Sequence, residues 1–396
     1  MYKDLFPTNE WAYLDNAATS PTASSVTNSE YKYYEKMRAN IHRSPHELGQ
    51  EATQAYEKSR SIVAEFAGFD ASECIFTRNT TESINLLAYS FCKDWGKDDV
   101  IYVPSCEHHS NMLPWIELQQ RQGVKIYWLE YDNNGAIDLD NLHDVLKTTQ
   151  TISKKKLLSI AHIGNVSGYE QPLEKISYFA KTFDCYLHVD AAQSIQYFKY
   201  PKADFVSFSA HKNFGPTGVG TLCVNQKLLE KMKPWQVGGG TVDRVTVGNA
   251  VYSEGVAKFE AGTPNIAGAI GFSESCNFIN DIGREKIKEY NKDIVGELNI
   301  IVKGLNCEPV NVDSTSICSF ICDYDAFDVA SLLGSQKVAI RGGNLCAEPY
   351  TKRISKKGVI RTSVSIINDE TDIKKFKLAL QKTLDTLCKH TKKSEK

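Results

Sequence analysis

Ser207-Phe208-Ser209-Ala210-His211-Lys212, then Asn213 and Phe214, then Gly215-Pro216-Thr217-Gly218-Val219-Gly220, is the stretch that decides how this chain folds. An apolar strand ends in a lysine, and a Gly-rich turn leads into a second apolar strand at residues 220–224. A lysine so placed, flanked by Ser and His, sits where an amine can form a Schiff base with a carbonyl cofactor. Its pKa falls when it is partly desolvated or lies beside another cation. Taken alone, Lys212 equally fits a solvated lysine on a surface loop.

Upstream, strand-like runs at 99–104, 125–129, 156–162, 185–189 and 204–209 alternate with helical patterns. Several are continuous apolar runs, as in a parallel sheet buried on both faces. Ser44-Pro45-His46-Glu47 reads as a capping box with Ser44 as N-cap, opening a helix that ends at Gly68. Residues 272–305 read as one long helical segment bridging to another unit. Beyond it, strands at 317–322, 338–340 and 359–364 alternate with helices at 325–333 and 369–387, a smaller α+β arrangement. Residues 390–396 read as a charged, frayed tail.

Four more clusters bear chemistry. His188-Val189-Asp190-Ala191-Ala192-Gln193 puts a carboxylate at a strand's carboxyl end, where α/β sheets bind ligands. Such an Asp can hold a pyridine nitrogen protonated, or simply cap a helix. Asn79-Thr80-Thr81-Glu82 opens a helix whose free N–H groups and hydroxyls suit a phosphate, although capping alone explains it too. Glu107-His108-His109-Ser110-Asn111 offers either metal ligands or one imidazole stacked on a planar ring; no further ligands stand at zinc spacing. Arg341-Gly342-Gly343-Asn344-Leu345-Cys346-Ala347 reads as a mobile Gly-rich loop carrying the thiol best placed for exposure. Arg361 could grip a carboxylate or form a surface ion pair.

The chain has 396 residues, with 46 Lys plus Arg against 48 Asp plus Glu, for a net charge of −2. Hydrophobic residues make up 42% and charged residues 24%, which excludes a disordered chain. Near neutrality gives no electrostatic pull toward nucleic acid or anionic membranes. No apolar stretch approaches the ~18 residues of a membrane span, and the first ten residues lack a secretory h-region. The 11 cysteines, an odd number with no CxxC, fit neither a complete disulfide framework nor a zinc site. A reduced, cytoplasmic protein with scattered structural thiols is expected, and Cys346 is either one of these or the member with chemistry of its own.

The five clusters, in this order, resemble the pyridoxal-phosphate enzymes of the class V aminotransferase family, fold type I. Within it they are most similar to group II cysteine desulfurases and selenocysteine lyases. The likeness runs from Tyr13-Leu14-Asp15-Asn16-Ala17-Ala18-Thr19 to Arg361-Thr362-Ser363, through NxHRxxHxLxxEAT (Asn40 to Thr53), TRNTTESINL, EHHSNMLPW, HVDAAQS, FSAHKxxGPTGxG and FEAGTPN. It implies a large domain at 15–280 with a mainly parallel seven-stranded sheet. A smaller α+β domain would comprise 281–396 with the N-terminal segment 1–14.

The resemblance also implies roles. Lys212 would be the Schiff-base lysine, Asp190 the partner of the pyridine nitrogen, and Gln193 that of the phenolic oxygen. His108 would stack on the ring and help move protons. Thr81 with the Thr80 backbone, Ser209 and His211 would hold the phosphate, joined by Thr263 from the partner subunit of a homodimer. Asn165 and Arg361 would bind the substrate carboxylate, Arg341 would support the cysteine loop, and Cys346 would accept sulfur. No metal is implied.

The implied reaction converts L-cysteine to alanine and leaves a persulfide on Cys346, to be passed to an acceptor protein for iron–sulfur cluster or thiocofactor assembly. L-selenocysteine is the alternative substrate. Another class V aminotransferase, epimerase or lyase has no use for Cys346, and a silent scaffold none for Asp190, His211 and Lys212. The loop departs from the family's frequent RxGHHCAMP: Asn344 and Leu345 replace two His, and Glu348 adds a negative charge. Both changes are expected to raise the thiol pKa slightly.

Overall fold

Apolar side chains alternate to both faces of the central strands, and this is what sandwiches a sheet between two layers. The computed structural model describes residues 2–7 and 10–394. Its first part runs β1 (Ala12–Tyr13), α1 (Ser24–Lys32), α2 (Glu47–Ala67), β2 (Cys74–Thr77), α3 (Thr80–Leu86), β3 (Val100–Pro104), α4 (Leu113–Gln122) and β4 (Lys125–Leu129). It continues with α5 (Leu139–Thr149), β5 (Lys156–Ala161), α6 (Leu173–Thr182), β6 (Tyr186–Asp190), β7 (Phe205–Ser209), β8 (Gly220–Val224), α7 (Gln226–Leu229) and the hairpin β9 (Val242–Thr246) to β10 (Asn249–Tyr252).

Seven strands form one sheet in the order β2-β8-β7-β6-β5-β3-β4. β3 to β7 are parallel and β8 runs against both its neighbours. Every residue of β3, β7 and β8 is buried. Within β2, Cys74 and Phe76 enter one hydrophobic cluster and Ile75 another, so separate cores cover the two faces. The parallel strands share one carboxyl edge, and the loops after β3, β5, β6 and β7 all leave from it.

The remainder comprises α8 (Ile266–Ile282), α9 (Arg284–Gly304), β11 (Glu308–Pro309), β12 (Ile317–Ile321), α10 (Ala326–Ser335), β13 (Val338–Ala339), β14 (Arg341–Gly343), α11 (Glu348–Ile354), β15 (Val359–Ser363) and α12 (Glu370–Ser394). An antiparallel sheet, β11-β12-β15-β14, packs on its own core. β1 pairs in parallel with β13, which ties the N-terminal segment to this second unit.

Four expectations need correction. The α2 N-cap is His46, not Ser44: the His46 ring Nδ1 accepts the Gly49 N–H at 3.1 Å. Ser44 instead packs on Gly49, where a Cβ would come within 2.3 Å of the serine Cβ. The single helix at 272–305 is two, broken at Gly283 with φ +97°. The tail expected at 390–396 stays helical through Ser394, and residues 395 and 396 lie outside the described residues. The Gly-rich loop begins as an edge strand, β14, and its glycine serves contact, not mobility: a Cβ on Gly342 would fall 2.0 Å from the Ala326 carbonyl oxygen.

Candidate active site

One cavity of about 240 Å³ opens at the carboxyl edge of the large sheet. Thr80, Thr81, His108, Asn165, Asp190, Gln193, Ser209, His211, Lys212, Arg341 and Arg361 all line it. Thr263 does not: it is exposed, on the loop before α8, and lines separate clefts with Glu260. Cys346 stands just outside, and its neighbour Leu345 completes the wall.

At the floor, Asp190 ends β6 and is 6% exposed; its Oδ1 accepts the Ala192 N–H at 2.9 Å. Burial pushes its carboxyl above the ordinary range, while that N–H and Lys212 pull it back. Lys212 closes the turn after β7, and burial lowers its ammonium to about 8 despite the attraction of Asp190. Burial and the Lys212 charge bring His108 down to about 3, so its imidazole is neutral. Its Nδ1 accepts the Ser110 N–H at 3.0 Å. Gln193 donates to the Ala17 carbonyl at 2.8 Å.

One end of the cavity is rich in donors. Asn79 caps α3 by accepting the Glu82 N–H at 2.9 Å, and Asn79, Thr80 and Thr81 at the start of that helix line this end. Ser209 Oγ bonds Thr80 N at 2.7 Å and Thr80 Oγ1 at 2.6 Å, locking β7 to α3. Thr81 Oγ1 lies 2.7 Å from Ser110 Oγ, and His211 Nδ1 lies 3.2 Å from Thr19 Oγ1.

The other end is cationic. Arg361 is 2% exposed, donates to Asp15 Oδ1 at 2.9 Å and to the Asn165 carbonyl at 2.9 Å, and keeps its Nε without a partner. Arg341 reaches the other Asp15 oxygen at 3.4 Å. The Asn165 amide is spent on the cysteine loop, donating to the Leu345 carbonyl at 2.8 Å.

That loop is pinned from the large sheet. The His109 N–H donates to the Cys346 carbonyl at 2.7 Å, and the Glu348 N–H donates to His109 Nε2 at 3.2 Å. Leu345 and Cys346 hold φ of +52° and +55°, left-handed values that side chains resist. Leu345 and Ala347 are buried with Tyr131, Val166 and Tyr350, and Cys346 between them is exposed. Of the eleven thiols it alone is exposed, and seven are buried. Glu348, whose charge the loop gained, pairs with Lys352 at 2.6 Å and accepts from Asn344 at 3.2 Å.

Reading the sequence for chemistry passed over Asp15 and His109. Asp15 stood inside YLDNAATS without a role, and its signal would have been two arginines needing one carboxylate. His109 reads from the sequence as a metal ligand or a stacking imidazole, with no link to the cysteine loop; among the described residues no group of three or more His, Cys, Asp or Glu could hold a metal ion. No described helix is long and apolar enough to cross a membrane.

A lysine and a carboxylate on adjacent strand ends, with a donor-rich helix start beyond them, define a class of fold and site. The Aminotransferase class-V family model matches residues 12–376, and the chain belongs to that family. It is 36% identical to a Pyrococcus abyssi protein named "Probable cysteine desulfurase", across 97% of each chain. Its fold superposes on the apo cysteine desulfurase of Thermococcus onnurineus with a TM-score of 0.91 at 33% identity, covering 97% of each chain. A cysteine desulfurase of Escherichia coli gives 0.88 at 28% identity, over 97% of this chain and 98% of that one. The family's cofactor is pyridoxal 5′-phosphate. The residues present fit it: a buried carboxylate for the ring nitrogen, an amine of lowered pKa, a donor cluster for phosphate, and an unpartnered buried Arg361 Nε beside them for a carboxylate.

Proposed function

We infer that this protein is a pyridoxal-phosphate-dependent cysteine desulfurase, a sulfurtransferase that converts L-cysteine to L-alanine and forms a persulfide on Cys346. The observation that carries the reading is an exposed thiol, fixed by His109 and Asn165 at the rim of the Lys212–Asp190 cavity. Bound there, the cofactor supplies a sink for the electron pair left when the substrate loses its α-proton. Lys212 would carry it and Asp190 would keep a proton on its ring nitrogen. Gln193 and His108 would hold the ring, and Thr80, Thr81, Ser209 and His211 the phosphate.

Arg361, which lines the cavity and is held in place by Asp15, takes the substrate carboxylate. Lys212, with its ammonium lowered to about 8, can take up the α-proton near neutral pH. The Cys346 thiolate attacks the substrate sulfur; an S–S bond forms and the carbon–sulfur bond breaks. Arg341 and Asn165 keep the loop in reach. We take residues 15–280 as the large domain, and 1–14 with 281–396 as the small one. The exposed Thr263 fits a role across a homodimer interface, at the partner's phosphate. A sulfur-acceptor protein in the cytoplasm, serving iron–sulfur cluster or thiocofactor assembly, completes the reading.

The test is alanine formation from L-cysteine and from L-selenocysteine, with and without Cys346→Ser. Loss of the L-cysteine reaction alone, with the cofactor's visible band intact, is expected. Undiminished desulfuration in the variant would move the nucleophile elsewhere, and activity on L-selenocysteine only would favour a selenocysteine lyase.

A further inference from the structure

Beneath the cavity, five polar side chains that the proposed reaction does not use form one continuous buried chain. Glu107, Asn111, Ser159, His188 and Ser207 are each 4% exposed or less. Glu107 Oε1 accepts the Ala161 N–H at 2.7 Å, and its Oε2 accepts from Asn111 Nδ2 at 2.9 Å. Trp115 Nε1 donates to Asn111 Oδ1 at 3.2 Å, and Ser159 Oγ donates to the same oxygen at 2.5 Å. Ser159 Oγ lies 2.7 Å from His188 Nδ1, and His188 Nε2 lies 2.9 Å from Ser207 Oγ.

Counting hydrogens gives the chain a direction. A peptide N–H and an indole N–H can only donate. The indole therefore keeps the Asn111 oxygen toward Trp115 and its NH₂ toward Glu107, and both Glu107 oxygens face donors. Burial pushes the Glu107 carboxyl up to about 8, and these two donors work against that rise. Ser159 spends its only hydrogen on Asn111, so the hydrogen in the next contact belongs to His188 Nδ1. Burial holds His188 neutral, its pKa lowered to about 3, which leaves Nε2 bare to accept the Ser207 hydroxyl.

The chain also has a place. His188 and Asp190, two apart on β6, face the same side of the sheet; Ser159 is paired with His188 and Ser207 with Asp190. It therefore lies one layer below the cavity floor. At its other end Glu107 begins the turn that puts His108 on the cavity wall and His109 against the Cys346 loop.

We propose that Glu107 is a positioning residue: in its ionised form its two oxygens close the accepting end of a chain whose direction the Trp115 indole fixes, with His188 as the Nδ1–H tautomer, and it anchors the turn that aims His108 and His109. The consequence for cofactor binding rests on the cavity being the cofactor site; the tautomer does not. The test is ¹⁵N NMR of histidine-labelled protein, with its cofactor and after removal, together with the Kd for pyridoxal phosphate. Wild type shows His188 as the Nδ1–H tautomer. In Glu107→Gln two NH₂ groups meet, because Trp115 forbids Asn111 to turn. Relief of that clash shifts the turn that aims His108 at the cavity, and cofactor binding weakens by about five- to a hundredfold.

Adding Trp115→Phe frees Asn111, the whole chain reverses, His188 becomes the Nε2–H tautomer, and affinity recovers. Ser159→Ala, which removes a single hydroxyl, gives a second route should Glu107→Gln fail to fold: His188 becomes a mixture of tautomers. A wild-type His188 that is Nε2–H or cationic, or one unmoved in both the double variant and Ser159→Ala, overturns the direction. Unchanged affinity in Glu107→Gln overturns the role at the site. A wild type that binds no pyridoxal phosphate overturns the functional reading and the consequence for the cofactor, while the tautomers still decide the chain.

Discussion

Lys212 and Cys346 each follow a strand and approach the same cavity, yet the protein holds them in opposite ways. Lys212 leaves β7, whose five residues are all buried in the middle of a seven-stranded sheet. Cys346 leaves β14, the edge of a four-stranded sheet, and stays exposed on a left-handed backbone. The amine is tuned by its surroundings: burial lowers its pKa from the ordinary 10.5 to about 8. The thiol is placed by its backbone, through bonds from His109 and Asn165 that cross from the other sheet. A base, the role proposed for Lys212, gains from desolvation, whereas a nucleophile that must later give up its sulfur, the role proposed for Cys346, has to remain reachable.

The largest effect is expected at Lys212. Lys212→Ala should abolish the visible cofactor band and lower alanine formation by about 10²- to 10⁴-fold or more, measured by absorbance and by product assay. In cofactor-free protein, only the neutral amine condenses with pyridoxal phosphate. Because burial lowers this pKa, the condensation rate should rise with pH through a midpoint near 8 instead of 10.5.

Asp15 joins the two regions, so Asp15→Asn sharpens the contrast. Arg361 keeps its place on the Asn165 carbonyl but loses its ion pair at 2.9 Å, and Arg341 loses its own at 3.4 Å. Steady-state kinetics should show KM for L-cysteine raised about tenfold with kcat changed less. Gly342→Ala acts on the loop's support alone: a Cβ 2.0 Å from the Ala326 oxygen forces β14 away from α10. Thermal unfolding should show a loss of about 1–3 kcal/mol, with the cofactor band retained. The smallest effect is expected of Lys352→Ala, which releases the exposed Glu348 charge. Iodoacetamide labelling of Cys346 should slow by no more than about twofold.

The large sheet was legible because its strands are nearly all apolar and, from β2 through β6, their spacing leaves room for a helix between consecutive strands. The Asp190 and Lys212 positions follow from the same pattern, since a strand's end marks the ligand edge. Helix boundaries were harder. His46 displaced Ser44 as cap because Gly49 lets Ser44 pack instead, a contact between side chains that no motif records. Gly283 split a helix whose apolar periodicity runs on either side of it. Asp15 and His109 escaped notice for a related reason. Each acts on residues more than two hundred positions away, Arg361 and Cys346, so their roles exist only once the two sheets meet.

On the proposed mechanism, sulfur moves to Cys346 only after Lys212 has done its work in the cavity. Mass spectrometry of the peptide bearing Cys346, after brief incubation of the holoenzyme with L-cysteine, tests this most directly. One added sulfur atom on Cys346 is expected in the wild type and none in Lys212→Ala. Added sulfur on a different cysteine, or equal labelling of Cys346 in the two proteins, would contradict it.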